Sequence, residues 1–338
     1  MTNEERFIRS VRLSCETALS NFFTKRRTRL LSHAIGHSIL LDEVEKLSLR
    51  GGKRLRPILI AAAARAADPS FDIDEGMQLY CAIEILQTAL LIHDDIMDED
   101  EIRRGGPSTF ASLRVRLGDV KRGDSAAILA GDYATGLALE ALLGATNESA
   151  ISARLLEAFT AILEEVYHGQ LFDIRGDADI PAMHRLKTTS YTTLGPIRLG
   201  AQFRGASSTL LTALERWAIA IGEAFQIADD LLGVIGNAET MGKPGDDLRD
   251  GKKSALYHAA LLEGEDEIVR LYERAERSEA EIERLRTLLH ERGLIDRTRE
   301  RIRSLESDAL RALDGAPMNA ESHRLFQLLG AKLARRER

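Results

Sequence analysis

Apolar residues in this chain recur at spacings of three and four and almost nowhere at spacings of two. The stretches Ala82–Ile92, Leu155–Val166, Leu214–Ile227 and Ile282–Leu294 each carry the stripe that one face of an α-helix buries. Runs alternating Val, Thr and Tyr, the mark of a half-buried strand, are nearly absent, while Ala, Leu, Glu and Arg dominate. The expected fold is therefore all-α, with roughly ten or more helices of ordinary length. No Ser-, Gly- or Pro-rich linker interrupts the pattern, so residues 1–338 read as a single helical domain. Pro57 falls where a helix would begin, whereas Pro196 falls inside a helical pattern and should kink or end it.

Composition excludes several function classes. The 338 residues carry 46 Lys and Arg against 53 Asp and Glu, a formal charge of −7, with 44% hydrophobic residues. That is too apolar for a disordered chain and too acidic overall for a general nucleic-acid binder. Cys15 and Cys81 are too few for a disulfide framework or a cysteine zinc site. Residues 1–12 lack the apolar core of a signal peptide. The longest apolar runs, Ile58–Ala64 and Ile85–Ile92, fall well short of the ~18 residues a membrane span needs. The expectation is a cytoplasmic protein with no membrane span and no nucleic-acid partner.

Two places break the helical pattern with acid. Asp94-Asp95 and Asp229-Asp230 each close an apolar stretch. Asp94 and Asp98, four apart, leave the same helix face with Cβ atoms about 5–6 Å apart. Glu99, Asp100 and Glu101 follow directly. Like charges at that spacing repel, and a cation offsets them; hard oxygen ligands that share substrate phosphates suit Mg²⁺. A solvated acidic helix end is the plain alternative for any one Asp-x-x-x-Asp. Here the acids follow apolar residues immediately, and the arrangement recurs at Asp229-Asp230-Leu231-Leu232-Gly233, without a third acid. An EF-hand is excluded, because neither Asp94 nor Asp98 opens a loop with Gly at its sixth position.

Basic turns accompany the acids. Gly51-Gly52-Lys53-Arg54-Leu55-Arg56-Pro57 enters a helix, where backbone N–H groups and cations favour phosphate. Ile102-Arg103-Arg104-Gly105-Gly106-Pro107 follows the first acidic run, and a loop from Met241 to Lys253 follows the second. Each turn alone is an ordinary surface loop. The repeated order, Asp pair and then a glycine-containing basic loop, describes a site that grips diphosphate directly and through metal.

These residues resemble the trans-isoprenyl diphosphate synthases, also called polyprenyl synthetases. The likeness spans residues 46–259 and holds five motifs: Gly52-Lys53-x-x-Arg56-Pro57; Asp94 to Asp98 with Arg103-Arg104-Gly105; Lys187-Thr188; Gln226-Ile227-Ala228-Asp229-Asp230; and Gly242-Lys243 with Asp247 and Lys252. Residues 229–253 are most similar to bacterial geranylgeranyl-type synthases. The resemblance implies an isoprenoid synthase type I fold with a deep central cavity, usually as a homodimer. It implies head-to-tail condensation of isopentenyl diphosphate with dimethylallyl, geranyl or farnesyl diphosphate, using Mg²⁺, three ions per site. It makes Asp94, Asp98 and Asp229 metal ligands, supported by Asp95 and Asp230. It gives Arg103, Lys187 and Lys243 to the allylic diphosphate, with Lys252 added, and Gly52, Lys53, Arg56, Gln87 and Arg104 to isopentenyl diphosphate. Gln170 and Asp173 resemble the family's inner polar pair near the metals. Lys187, Thr188 and Gln226 supply oxygens that face the allylic carbocation.

Two residues depart from the family pattern. Gly233 stands where many members have a further Asp, so metal binding there leans on Asp229, with help from Asp247. Gln87 stands where many long-chain members carry His, and its amide still offers a donor to phosphate. In the family, aromatic residues just below the first acidic motif stop short products. Of the two positions there, Ala89 and Leu90, Ala89 leaves room, with the floor set deeper by residues such as Leu86, so geranylgeranyl diphosphate is the expected product and farnesyl or longer products the alternatives. Two rival readings are a terpene cyclase, which would not need the basic turn at 52–56, and a non-catalytic partner subunit, which would carry damaged aspartate motifs.

Overall fold

In the computed structural model, residues 1–32, 38–176, 179–235 and 247–335 are described. Helices follow one another from end to end: α1 (Asn3–Ser32), α2 (Ile39–Leu49), α3 (Leu55–Ala67), α4 (Met77–Met97), α5 (Thr109–Leu117), α6 (Val120–Leu143), α7 (Ser149–Arg175), α8 (Ile180–His184), α9 (Gly195–Phe203) and α10 (Ser208–Ile235). After a single turn at Asp247–Asp250 come α11 (Ala255–Glu263), α12 (Asp266–Tyr272), α13 (Glu279–Glu291), α14 (Leu294–Ala312) and α15 (Ala320–Ala334). Among the described residues the only strands are the two-residue β1 (Ile102–Arg103) and β2 (Gly106–Pro107). The all-α expectation holds.

The chain forms two compact units, one of residues 1–158 and 199–206, the other of residues 159–198 and 207–338. Two of the three divisions fall inside continuous helices, α7 and α9, and the third falls in the short connection between α9 and α10. A division inside a helix leaves no linker composition for a sequence to show.

In the first unit α4 packs along α6. Small residues make the approach close: Ala127, Ala130, Gly131, Ala134 and Ala138 of α6 are all buried. A Cβ on Gly131 would run into the His93 ring, whose Nε2 lies 3.2 Å from the Ile128 carbonyl. His93 is thus a packed, hydrogen-bonded helix histidine. By length and composition α6 could cross a membrane, with a mean hydropathy of 1.4 in its most apolar window, yet 44% of that window is buried inside the protein. Cys15 and Cys81 are buried, and desolvation pushes both thiols up, Cys81 to about 12, which leaves them unreactive.

In the second unit α10 is the central helix, packed by α14, α15 and a π-helix at Arg185–Leu194. Trp217 is core, edge-on to Phe326 with ring centroids 4.8 Å apart. Pro196 explains where the π-helix stops. Proline has no N–H to give and crowds the preceding turn. The backbone meets it with a wider turn, the Gly195 N–H reaching the Ser190 carbonyl, and α9 restarts with Pro196 in its first turn.

Candidate active site

The first acidic motif occupies the last turn of α4 and its cap. Asp98 is the C-cap residue, still right-handed, and its N–H bonds the Asp94 carbonyl at 2.9 Å. Asp94 and Asp98 therefore keep helical spacing on one stripe, with Leu90 and Leu86 below them. Asp94 is half-exposed and Asp98 exposed, whereas Asp95 is fully buried. Arg103 anchors Asp95 through Nε and also reaches Asp100 at 3.1 Å and Asp94 at 3.4 Å. Burial raises the Asp95 carboxyl to about 6 against the lowering pull of Arg103. Its second oxygen, Oδ2, is buried with no hydrogen-bond partner.

Arg103 is placed by the β1–β2 hairpin. Arg104 and Gly105 at its tip have φ of 53° and 72°, the positive angles of a two-residue turn that matches strand twist. Arg104 donates to the Gly51 carbonyl at 3.0 Å and the Leu47 carbonyl at 3.3 Å. Arg50 returns the clasp, donating to the carbonyls of Arg103 and Pro107 at 2.8 Å each. Arg54, the N-cap of α3, also sits at positive φ, 50°. It is buried, bonded to Glu84 at 2.6 Å and Glu16 at 2.7 Å. A Cβ on Gly52 would lie 3.6 Å from Arg54 and 3.7 Å from Arg104. Two arginines in a backbone conformation costing about 1–3 kcal/mol each thus converge on one glycine. Burial, with Arg54, Arg56 and Arg103 nearby, pushes Arg104 below the ordinary arginine range although Glu84 pulls it up. Burial and the neighbouring cations disfavour the charge on Arg104, and a bound anion would favour it.

The second unit holds the second pair. Asp229 is half-exposed and Asp230 buried, the same division as in the first. Asp230 accepts from Gln226 Nε2 at 2.7 Å and from the Ala255 N–H at 2.7 Å, and its Oδ2 lies 3.3 Å from His184 Nε2. Burial raises Asp230 to about 6, against the opposing pull of Lys252 and these hydrogen bonds. Gln226 in turn accepts from the Thr188 hydroxyl at 2.6 Å. Lys187 pairs with Asp173 of α7, where Gln170 lies one turn earlier. The π-helix brings Lys187 and Thr188 in, and Gly169 lets it: a Cβ there would strike the Lys187 backbone. Lys252 stands among Asp247, Asp230, Asp229 and Asp173. Desolvation lowers its ammonium pKa, and those four carboxylates more than reverse this, holding it above the ordinary lysine value.

Gly233 is accounted for by a neighbour. The space that a side chain at 233 would fill holds the carboxylate of Asp247. Lys243, with Gly242, lies outside the described residues. Lys53 is exposed, Arg56 half-buried, and Gln87 buried in α4 with its Oε1 unpartnered. Ala89 and Leu86 are fully buried in α4 and Leu90 is half-buried. Sequence reasoning passed over Arg50 and His184, and took Arg54 for a phosphate-facing member of the basic turn where the structure pairs it with Glu84 and Glu16. Glu84 was the available signal for Arg54, since an acid inside an apolar helical stripe needs a buried cation. His184 has no counterpart signal.

The donor chemistry fits a hard divalent cation: carboxylate oxygens, half of them presented outward and half held from behind. Among the described residues no group of three His, Cys, Asp or Glu side chains is placed to hold an ion alone. Mg²⁺ takes one or two carboxylates and completes its shell with water and phosphate.

The family model described as polyprenyl synthetase matches residues 37–290. The chain is 34% identical over 309 residues to the geranylfarnesyl diphosphate synthase of Aeropyrum pernix, covering 86% of this chain and 94% of that one. It is 32% identical over 274 residues to the farnesyl diphosphate synthase of Geobacillus stearothermophilus, covering 76% and 84%. In fold it matches the geranylgeranyl pyrophosphate synthase of Corynebacterium glutamicum complexed with isoprenyl diphosphate and magnesium. The TM-score is 0.87 at 27% identity, over 99% of this chain and all of that one.

Proposed function

The chain belongs to the polyprenyl synthetase family, a trans-prenyltransferase of isoprenoid fold, and we propose that it condenses isopentenyl diphosphate with an allylic diphosphate to give geranylgeranyl diphosphate. The observation that carries this reading is the shared build of the two pairs: Asp94 and Asp229 are half-exposed, while Asp95 and Asp230 are buried and held by Arg103 and by Gln226 with the Ala255 N–H. Mg²⁺, three ions in the family's pattern, would supply the positive charge that stabilises the leaving diphosphate when the allylic C–O bond ionises. Asp94, Asp98 and Asp229 would hold it, with Asp247 taking the place of an acid at 233. Arg103, Lys187, Lys243 and Lys252 hold the allylic diphosphate. Gly52, Lys53, Arg56, Gln87 and Arg104 hold isopentenyl diphosphate, and the convergence of Arg54 and Arg104 beside Gly52 supports this.

The hydrogen-bond relay of the second unit has a chemical consequence. Asp230 draws on the Gln226 amide, Gln226 draws on the Thr188 hydroxyl, and each bond makes the next oxygen richer in electrons. Oxygens so polarised stabilise the allylic cation after ionisation. The proton lost at the end passes to the departed diphosphate, which lies at hand as a base. Small Ala89 below Asp94, where an aromatic residue would stop a short product, favours a product longer than farnesyl. We read the chain as one catalytic domain working in the cytoplasm as a homodimer, for which Val120, Ile128, Leu129 and Leu143, exposed on α6, offer apolar surface.

The test is incubation with Mg²⁺, labelled isopentenyl diphosphate, and geranyl or farnesyl diphosphate, with chromatography of the extracted products. A labelled C20 product supports the reading, and cyclised hydrocarbon or no incorporation contradicts it.

A further inference from the structure

The second unit holds a cavity that the reaction above does not use. It has a volume of about 640 Å³ and is walled by α8, the π-helix, α10, α11 and α14. Ligand pockets commonly run about 300–1,000 Å³. The wall is mostly hydrocarbon: Ile180, Ile219, Ile227, Ala255, Ala259 and Leu262. Ile219 and Leu262 are 42% and 73% exposed, so the mouth is open as well as apolar. Ile219, Glu223 and Ile227 are spaced at four along α10, on a different stripe from Asp229. His258 stands in the wall with a buried Nδ1 that has no hydrogen-bond partner.

Charge at the rim is unbalanced. Arg297 pairs with Glu263, and Arg301 with Glu223. Arg185, the first residue of the π-helix, is exposed, and no carboxylate of the described residues pairs with it. Three guanidinium groups against two carboxylates leave one positive charge over an apolar cleft. We propose that this cavity binds an amphipathic anion, a hydrocarbon chain with a carboxylate or phosphate head, the chain lying along Ile227, Ala255 and Ala259 and the head meeting Arg185.

The cavity touches the chemistry through one ring. His184 lines it, and the same imidazole places Nε2 beside Asp230. A chain lodged there presses on a side chain that holds the buried member of the second pair, so occupancy changes turnover. This second step rests on the role given above to Asp230; the binding itself does not.

Calorimetric titration of the full-length protein with dodecanoate, dodecanol and farnesyl monophosphate tests the site. Dodecanoate should bind once per chain. Ala259→Trp, which fills the cavity, should weaken it by about tenfold or more. Arg185→Glu should weaken dodecanoate by about fivefold and leave dodecanol unchanged. If Ala259→Trp loses its helical circular dichroism, Arg185→Glu decides alone. Farnesyl monophosphate binding tighter than dodecanoate, and lost in Ala259→Trp, supports a prenyl phosphate as the occupant; the reverse order supports an acyl carboxylate. Absence of binding, or unchanged dodecanoate affinity in the variants, overturns the site. In the condensation assay dodecanoate should alter the wild-type rate by about twofold or more and leave the Ala259→Trp rate unaltered. A protein that binds dodecanoate but condenses nothing would overturn the functional reading and leave the site standing.

Discussion

The Asp94-Asp95 pair and the Asp229-Asp230 pair place their carboxylates alike and neutralise them differently. Asp95 is held by a half-buried cation, Arg103, and keeps one oxygen unpartnered. Asp230 takes its hydrogen bonds from neutral groups, the Gln226 amide and the Ala255 N–H, with His184 at its side and the Lys252 ammonium as the nearby cation. The first pair has a further acid a turn away, Asp98; the second lacks it, and Asp247 fills the space over Gly233. One presentation of charge is thus built from a directly hydrogen-bonded salt bridge in one unit and from a hydrogen-bond relay with a lysine nearby in the other. The relay also reaches Thr188, so in the second unit the anchor and the groups proposed to face the cation are continuous.

The sharpest challenge to this likeness comes from the outward acids. Asp94→Ala and Asp229→Ala should each lower condensation on the order of 10³-fold or more with the helical spectrum unchanged. A normal rate in either variant breaks the parallel.

The anchors should then differ in stability. Removing Arg103 leaves a buried carboxylate uncompensated, so Arg103→Ala should cost about 3–5 kcal/mol. Gln226→Ala removes a neutral donor and should cost about 1–3 kcal/mol. Urea denaturation in chelator measures both, and equal losses would erase the distinction.

Gly233→Asp should destabilise by about 1–3 kcal/mol, because its carboxylate would contend with that of Asp247 for one space. The double variant Gly233→Asp/Asp247→Gly should regain most of the loss. Additive losses would show that Asp247 does not stand in for the missing acid.

The smallest effect is in pH. Burial holds Asp95 and Asp230 at about 6 and His184 at about 4. A carboxyl raised in the fold contributes stability fully present below about pH 4 and lost as pH rises through 6. A histidine lowered in the fold contributes stability present above about pH 6.5 and lost as pH falls toward 4. His184 and Asp230 therefore oppose each other in metal-free protein. His184→Gln should gain in urea midpoint relative to wild type between pH 6.5 and 4.5, and parallel midpoints would contradict the opposition.

Much of this was legible in the sequence for stated reasons. Helical periodicity is local, so α4 and α10 could be read directly, as could the i, i+4 placement of Asp94 and Asp98. The anchors were not legible. Arg54 meets Glu84 across thirty residues of chain, and His184 meets Asp230 across forty-six; no spacing rule joins them. The second pair was expected to close its helix, yet α10 continues to Ile235, because Leu231 and Val234 beyond it are buried. The π-helix left only one trace, Pro196, which predicted a disturbance without its form.

A crystal structure with Mg²⁺ and a non-reacting allylic thiodiphosphate tests the division of labour within each pair most directly. Oxygens of Asp94 and Asp229 at about 2.0–2.1 Å from magnesium, with Asp95 and Asp230 still on Arg103 and Gln226, is the predicted result. Magnesium bound to Asp95 or Asp230, or Asp229 left uncoordinated, would contradict it.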